Sequence, residues 1–287
     1  MKKMNKMNKM LMLMLVLIFT AVSALAEFDA NKMINVISRE EGSGTRGAFV
    51  ELTGVEQKIN GKKVDMTTED AQITNNTAVM LTTVAGDAYA IGYVSLGSMN
   101  NSVKALKIQG VEATAENVAS GEYKIARPFN IAYREEAISE LGKEFIDFVM
   151  SVEGQAIVAA NGYVANANCN PFAGAKAEGK LVVAGSSSVS PVMEKLVEAY
   201  QEVNTAAQIE IQTSDSTTGM TSAMEGSCDI GMASRDLKEA EAAELTSIAI
   251  AMDGIAVIVN NENPMDEMTV EQIGEVYTGS VISWNEL

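Results

Sequence analysis

The sequence contains no histidine among its 287 residues and only two cysteines, Cys169 and Cys228. Without histidine, the Ser-His and Cys-His nucleophilic arrangements are excluded, and the commonest zinc ligand is missing. Two cysteines so far apart argue against a zinc site, and they either pair with each other or remain free thiols. We therefore expect no metal site, no cofactor and no catalytic residues, and we predict that the protein is not an enzyme.

Positive charge is also scarce. The chain has 21 lysines and arginines against 38 aspartates and glutamates, a formal net charge of −17 at pH 7. Nucleic-acid binding requires basic patches, so we expect no nucleic-acid partner. A protein this acidic binds an anion only where fixed local donors, rather than the net charge, hold it.

The first 26 residues have the pattern of a signal peptide. A lysine-rich start precedes the apolar run from Leu11 to Phe19, and Ala24-Leu25-Ala26 offers a small-residue cleavage site. The run is short for a membrane span, although an uncleaved anchor is the alternative. We predict that segment 1–26 is removed on export to the periplasm or the extracytoplasmic surface, which changes the net charge to −21. The cleavage site has no cysteine, so the sequence does not predict a lipid anchor.

A glycine-rich loop follows the first predicted strand. The β-branched run 34–37 leads into Ser-Arg-Glu-Glu-Gly-Ser-Gly-Thr-Arg from Ser38 to Arg46, and a short helix is predicted over 47–55. A helix start behind such a turn directs free N–H groups and the helix dipole at one point, and glycine permits close backbone approach. Hydroxyl and guanidinium donors are added by Arg39, Ser43, Thr45 and Arg46. The loop is predicted to bind a small oxyanion.

The same loop admits two other interpretations. Gly42 to Gly47 matches the G-x-G-x-x-G pattern of dinucleotide-binding enzymes, with Asp65 at a tolerable distance downstream. Residues 39–41 stand between strand and first glycine, where the dinucleotide turn is tight, which counts against that interpretation. A P-loop is excluded because Ala48 and Phe49 occupy the Lys and Ser/Thr positions. Taken alone, the motif is equally compatible with a turn that binds nothing.

Turns rich in serine and threonine recur later in the chain. They follow the predicted strands 181–184, 209–212 and 228–233, and the first two of these turns open helices. In open α/β sheets, ligands bind at the carboxyl ends of strands. Several such turns therefore predict a polar cleft.

Four stretches together resemble a known family. They are Ser-Arg-Glu-Glu-Gly-Ser-Gly-Thr-Arg (38–46), Ala-Gly-Ser-Ser-Ser-Val-Ser-Pro (184–191), Asp-Ile-Gly-Met-Ala-Ser-Arg (229–235) and Asp-Gly-Ile-Ala-Val-Ile-Val-Asn (253–260). They are similar to the extracytoplasmic phosphate-binding proteins of bacterial ABC phosphate importers. The resemblance implies an α/β, two-lobed periplasmic-binding-protein clamshell of type II-like architecture. It also implies a monomer that captures inorganic phosphate, or another tetrahedral oxyanion such as sulfate, and delivers it to a membrane permease.

The order of these stretches departs from the family. There, the Gly-Ser-Ser-Ser-Val turn lies near the mature N-terminus, and Trp-Asn-Glu-Leu leads into the Ser-Arg-Glu-Glu-Gly loop. Here the chain stops at Trp-Asn-Glu-Leu, so it is predicted to be circularly permuted, with segment 165–180 joining the usual ends. A fragment of tandem copies is the alternative. The resulting lobes are 27–125 plus 254–287, and 126–253.

The resemblance also implies a set of phosphate ligands. By position they are Arg39, Ser43, Gly44, Thr45, Ser187, Ser188, Val189, Ser216, Thr217, Ser234, Arg235 and Asp253. Some family members place an aspartate after Ala-Ser in the third turn, where it accepts the proton of hydrogen phosphate, but here Arg235 follows Ser234. Asp253 is the predicted replacement, with Asp236 second, and the alternative for Asp253 is an ordinary strand-end turn. Such an acceptor would distinguish hydrogen phosphate from sulfate.

Overall fold

The computed structural model of the protein describes residues 28–174 and 177–287, so the predicted signal peptide lies outside the described residues. The first part of the chain forms β1 (Asn35–Arg39), α1 (Gly44–Leu52), β2 (Glu56–Ile59), β3 (Lys62–Asp65), β4 (Gln72–Thr74), α2 (Thr77–Ala85), β5 (Ala90–Ser95), β6 (Val103–Ala105), β7 (Lys107–Ile108) and α3 (Ala115–Ser120). The middle forms β8 (Ala126–Tyr133), α4 (Glu140–Val149), α5 (Val152–Ala160), β9 (Gly179–Ser186), α6 (Ser190–Val203), β10 (Ala207–Ser214), α7 (Ser216–Glu225), β11 (Ile230–Ala233) and α8 (Glu239–Ala242). The end forms β12 (Thr246–Asn260), β13 (Glu267–Met268) and α9 (Val270–Tyr277).

One predicted helix is divided in two. The amphipathic pattern over 136–161 predicts a single long helix, but the structure has α4 and α5 with a break at Met150 and Ser151. The Ser151 hydroxyl donates to the Phe148 carbonyl and accepts from the Gly154 amide at 3.1 Å, so it caps the start of α5. A serine N-cap stabilises the start of a helix because its hydroxyl accepts from a free backbone amide. The chain therefore begins a new helix at this serine.

The main sheet runs through both lobes. Its strand order is β10-β9-β11-β8-β12-β5-β1-β4, with β6 also paired to β12. Strands β9, β10 and β11 are mutually parallel, so their carboxyl ends meet at one edge. The first half of β12 pairs with β8, and its second half pairs with β5 and β6. Strand β12 therefore belongs to the sheets of both lobes.

The apolar cores divide at the same place. One core contains buried residues between Phe129 and Ala251, while the other lobe's core combines residues from Ile34 to Ile125 with residues from Ile255 to Trp284. Between the two cores the Ile255 amide donates to the Ile125 carbonyl at 2.7 Å. The lobes are thus connected through two neighbouring crossing strands.

The segment predicted to join the family's usual ends is fixed to the second lobe. From Ala165 to Gly174 it has no regular secondary structure. The Phe172 amide donates to Glu153 Oε2 at 2.8 Å, and the Phe172 ring packs edge-on against Phe148. Beyond the two undescribed residues, the Ala177 amide donates to the buried Glu144 at 2.8 Å.

The two ends of the described chain lie together on the first lobe. The Asn285 amide donates to the Ala30 carbonyl at 2.8 Å, and the Ile34 amide donates to the Ile282 carbonyl at 2.8 Å. The Phe28 ring lies edge-on to Trp284, with centroids 6.0 Å apart. Among residues 28–174 and 177–287, no helix is both long and apolar enough to cross a membrane.

The cysteines do not pair with each other. Cys169 is half-buried and Cys228 is buried, and both are free thiols. Burial raises the pKa of the Cys228 thiol to about 11. Of the two states that the sequence permits, the structure therefore has two free thiols.

We expect iodoacetamide at pH 8 to alkylate Cys169 first. The raised pKa of about 11 makes the thiolate fraction of Cys228 roughly 100-fold smaller than it would be at the ordinary thiol pKa of 9.0. Burial also blocks access of the reagent to this thiol. Mass spectrometry of Cys169→Ser and Cys228→Ser variants assigns each rate, and guanidinium-unfolded protein is the control in which both react. Equal rates in the folded protein would contradict the buried position of Cys228.

Candidate functional site

The loop between β1 and α1 is fixed by its own side chains. The Ser43 hydroxyl accepts from the Arg46 amide at 3.3 Å and caps α1, and the Arg46 Nη1 donates to the Arg39 carbonyl at 2.7 Å. The Arg39 side chain is buried, and it donates through Nε and Nη2 to the Glu40 carboxylate at 2.7 and 2.6 Å. One carboxylate thus balances the charge of this guanidinium.

A buried phenol supports the same loop from behind. The Arg39 amide donates to the Tyr93 hydroxyl at 3.1 Å, and the Ser38 hydroxyl lies 2.9 Å from it. Burial raises the pKa of Tyr93 to about 12, so the phenol stays neutral. The neutral hydroxyl therefore fixes the end of β1 without adding negative charge near the loop.

The second lobe contributes serines from three strand ends. They lie at and just beyond the end of β9, at the start of α7 and after β11, where the parallel strands bring them to one edge. Ser186 Oγ donates to Ser234 Oγ at 3.0 Å, and Ser216 Oγ lies 3.4 Å from Ser234 Oγ. All are buried, as are the neighbouring Ser187 and Ser188. The turns predicted to converge do so.

The two lobes meet at these hydroxyls. Thr45 Oγ1, on the first lobe, lies 2.8 Å from Ser188 Oγ and 3.2 Å from Ser234 Oγ. The Thr217 amide donates to the Gly42 carbonyl at 3.1 Å, and Arg39 Nη2 donates to Ser187 Oγ at 3.1 Å. The structure therefore brings the glycine-rich loop and the serine turns into one cluster, which we call the hydroxyl cluster: Thr45, Thr77, Ser186, Ser187, Ser188, Ser216 and Ser234.

Gly44 lies at a close approach between the lobes. A Cβ at this position would lie 2.4 Å from Ser216 Oγ and 2.9 Å from Ser234 Oγ, both on the opposite lobe. A Cβ at Gly47, one turn further along α1, would meet no atom of the described residues within 4 Å. The absence of a side chain at Gly44 is therefore what permits this approach.

Sequence reasoning missed two members of the site. Thr77, the first residue of α2, lies with its Oγ1 3.3 Å from both Ser187 Oγ and Ser188 Oγ. Arg127, in β8, is buried and donates through Nη2 to Thr45 Oγ1 at 3.2 Å. The helix N-cap at Asn76 was a usable signal for Thr77, whereas Arg127 stands in no recognisable motif.

Two other predicted ligands, Val189 and Arg235, lie at the margin of the hydroxyl cluster. The Val189 side chain is buried in the core of the second lobe, and its amide donates to the Ser186 carbonyl at 3.0 Å. Arg235 turns away and forms a bidentate pair with Glu241, at 2.7 and 2.8 Å. Burial would raise the pKa of Glu241, but hydrogen bonds from Arg235 and the Lys238 amide outweigh it and lower the pKa. Arg235 therefore directs its charge away from the cluster, although Nη2 reaches Thr217 Oγ1 at 3.3 Å.

Asp253, the predicted proton acceptor, lies behind Arg127. The two residues face each other across β8 and β12, and Asp253 Oδ2 accepts from Arg127 Nη1. Burial raises the pKa of the Asp253 carboxyl, and the facing guanidinium opposes that rise. Within the described residues its other oxygen, Oδ1, is buried without a hydrogen-bond partner, as are the hydroxyls of Ser95, Ser98 and Tyr163. Asp253 thus reaches the hydroxyl cluster through Arg127.

These groups suit the binding of an oxyanion. The cluster offers neutral hydroxyls from both lobes, and each adjoining guanidinium, Arg39 and Arg127, has its own carboxylate. Within residues 28–174 and 177–287, no group of three or more acidic or cysteine side chains is placed to hold a metal ion. Hydrogen bonds that involve a charged partner are the strong ones, so an anion gains most from this donor set.

The chain is similar to a known domain family and to known phosphate-binding proteins. The model of the PBP superfamily domain matches residues 15–153 and 170–287. The phosphate-binding protein PstS 2 of Streptococcus agalactiae is 53% identical over 256 residues, which cover 88% of this chain and 87% of the relative. The phosphate-binding protein PstS of Staphylococcus saprophyticus is 34% identical over 120 residues, which cover 39% of this chain and 38% of the relative.

A solved structure shows the same fold. The crystal structure of a phosphate-binding protein of a phosphate ABC transporter from Streptococcus pneumoniae has a TM-score of 0.70 and 45% identity to this chain. The match covers 88% of this chain and 99% of that one. The resemblance predicted from the four motifs and the two-lobed α/β fold are confirmed. The chain therefore belongs to the PBP superfamily and, within it, to the family of the phosphate-binding proteins of ABC transporters.

Proposed function

We propose that the protein is an exported, non-enzymatic receptor that captures inorganic phosphate between its lobes and delivers it to the membrane permease of an ABC importer. The observation that carries the proposal is the contact of Thr45 with Ser188 and Ser234 across the lobes, with a guanidinium on either side. Relatives named as phosphate-binding proteins support the choice of ligand.

Lobe closure follows from the energetics of anion burial. Removing an ion from water costs several kcal/mol even after relaxation. A hydrogen bond to a charged group returns about 1.5–3 kcal/mol, so several donors must converge. Here the donors are divided between two lobes that are joined by crossing strands. A monomer that closes about this hinge completes the donor set and presents a closed form to the permease.

Sulfate is the second candidate among the oxyanions. Serine and threonine hydroxyls donate and accept, so the cluster can serve the proton of hydrogen phosphate as well as bare oxygens. Asp253 as a dedicated acceptor of that proton stays a prediction, since its carboxylate contacts Arg127 rather than a hydroxyl of the cluster. The same holds for Asp236.

A nucleotide-using enzyme is supported less well. In dinucleotide-binding folds an acidic residue beyond the glycine motif accepts from the ribose hydroxyls. Here the candidate, Asp65, accepts from Arg46 Nε at 2.8 Å and from the Thr67 amide at 2.8 Å. The glycine loop itself contacts the serine turns of the other lobe.

The permuted order is part of the proposal. Segment 165–180 would join the family's usual ends, and the moving units would be 27–125 plus 254–287, and 126–253. The family match breaks between residues 153 and 170, next to this segment. A relative in the unpermuted order would align over only part of both chains, as the staphylococcal relative does. The adjacent ends at Ala30 and Asn285 are the place where the unpermuted chain would be continuous.

Thermal melting tests the ligand. With phosphate at about 1,000 times its Kd, the free energy of unfolding rises by about 4 kcal/mol. The Tm then rises by about 10 °C, since a protein of this size gains a few degrees per kcal/mol. We expect a smaller shift with sulfate and none with NAD. A larger shift with sulfate than with phosphate would identify sulfate as the ligand. A shift with NAD alone would contradict the proposal that the protein is an oxyanion receptor.

Glycine substitutions test closure. Gly44→Ala places a Cβ against Ser216 and Ser234 on the other lobe, so we expect phosphate affinity in calorimetry to fall roughly 10- to 100-fold through overpacking. The matched control is Gly47→Ala, on the same helix with open space around its Cβ, which should bind as the unsubstituted protein does. Equal affinities of the two variants would show that the closed arrangement is not the form that binds.

Rearranging the chain tests the permutation. A chain in which residues 177–287 precede residues 28–174, joined by a short glycine-serine linker, has the unpermuted order. Because Ala30 and Asn285 are already hydrogen-bonded neighbours, we expect it to bind phosphate and to keep its Tm within about 10 °C. A control opened within the buried strand β5 should not fold. Failure of the rearranged chain alone would contradict the proposed permutation.

A further inference from the structure

Arg127 occupies the place where the lobes are joined. It is the second residue of β8, and its register partner on the neighbouring crossing strand is Asp253. The guanidinium is buried, and it lies over the Phe129 ring with Cζ 4.9 Å from the ring centroid. Its orientation is therefore fixed from below by an aromatic face and from the side by an acid.

We propose that Arg127 is a second guanidinium ligand of the captured oxyanion, delivered from the hinge, and this inference rests on the proposed function. Nothing in the glycine-rich loop or the serine turns points to this residue. Its assignment comes from the directions in which its nitrogen atoms face.

The guanidinium divides its donors between the hinge and the site. Nε donates to the Ser234 carbonyl at 3.3 Å, and Nη1 donates to Asp253 Oδ2 and to the Asp253 carbonyl at 3.1 Å. Nη2 carries two hydrogens, and within the described residues its partner is Thr45 Oγ1 at 3.2 Å. Thr45 also contacts Ser188 and Ser234. One edge of the guanidinium is thus used by the hinge, while Nη2 faces the hydroxyl cluster.

The charges around Arg127 fit an anion rather than a purely structural pair. Asp253 balances one positive charge, and within the described residues the hydrogen-bond partner of Nη2 is a neutral hydroxyl, that of Thr45. A guanidinium can bind two acceptors at once through its fork, which an ammonium cannot do. Arg127 can therefore hold Asp253 and an oxyanion together. Arg39 also serves both a carboxylate and the cluster: Nε and Nη2 donate to Glu40, Nη2 also donates to Ser187 Oγ, and Nη1 donates to Thr77 Oγ1 at 3.4 Å.

The position also connects ligand and hinge. Arg127 and Asp253 stand opposite each other on the two strands that cross between the lobes. Thr45 belongs to the first lobe, so its bond with Arg127 joins the loop of that lobe to the crossing strands. An oxyanion bound to Nη2 would bridge the same parts and add to the contacts of the closed form.

The first experiment removes the positive charge and its counter-charge together. Arg127→Gln alone would remove the side-chain partner of Asp253 Oδ2 and leave a buried, unpaired carboxylate, because Oδ1 has no partner among the described residues. The double variant Arg127→Gln with Asp253→Asn keeps polar groups of similar size without net charge. Calorimetry with phosphate should show a loss on the order of 100-fold in affinity, the worth of a charge-assisted bond, while the Tm without phosphate stays close to that of the unsubstituted protein. Binding within threefold, about the scatter expected of a surface substitution, would overturn the inference.

A second variant decides the matter if the double variant does not fold. Arg127→Lys retains the positive charge beside Asp253 but cannot span Asp253 and an anion. We expect phosphate affinity to fall roughly tenfold or more with an unchanged Tm without phosphate. Arg134→Lys, an exposed arginine just beyond β8, is the matched control and should bind normally. Normal binding by Arg127→Lys would overturn the inference.

The outcomes separate the inference from the proposed function. Phosphate binding by the unsubstituted protein tests the function, and its absence overturns both. Normal binding by the unsubstituted protein and by the Arg127 variants overturns only the role of Arg127. Binding that is lost in those variants, but retained in Arg134→Lys, supports both.

Discussion

The site depends on the continuity of β12 through both lobes. Its first half is paired with β8 in one lobe and its second half with β5 in the other, so the lobes share a sheet at their junction. The Asp253 side chain lies at that junction and fixes Arg127 beside the hydroxyl cluster. Strand pairing therefore joins the lobe of the glycine-rich loop to the lobe of the serine turns, and the contacts of Gly42 and Thr45 hold the loop against those turns.

The electrostatic design explains how an acidic protein can hold an anion. The donors of the cluster are neutral hydroxyls, and the two guanidinium groups each have one carboxylate within hydrogen-bond distance. The carboxylate of Glu241 removes a third arginine, Arg235, from the cluster. The net charge of −17 therefore does not prevent anion binding, because the donors at the site are local and fixed.

The sequence predicted what local patterns encode. Ser188, Ser216 and Ser234 follow parallel strands, so the topology of that sheet brings them to one edge. Ser43 and Thr45 follow a glycine turn of the other lobe, and Thr45 contacts Ser188 and Ser234 across the lobes. Their roles as ligands stay predictions. The family and the two-lobed fold were predictable because the four motifs are specific in combination.

The rest could not be predicted because it depends on contacts between distant parts of the chain. Arg127 enters the site through its register with Asp253, 126 residues further along the chain, and no local pattern reports such a register. Arg235 has the right sequence position for the site, but Glu241 draws it away. The single helix predicted over 136–161 was wrong because the hydroxyl of Ser151 starts a second helix.

The composition of the cores has a consequence for the order of folding. The core of the second lobe draws on one uninterrupted stretch, whereas that of the first needs its early strands together with the second half of β12 and helix α9. As the chain leaves the ribosome, the part made earliest must wait for the part made last before its apolar side chains are covered. The later-made lobe is the one that can consolidate first, and the earlier-made lobe assembles onto it.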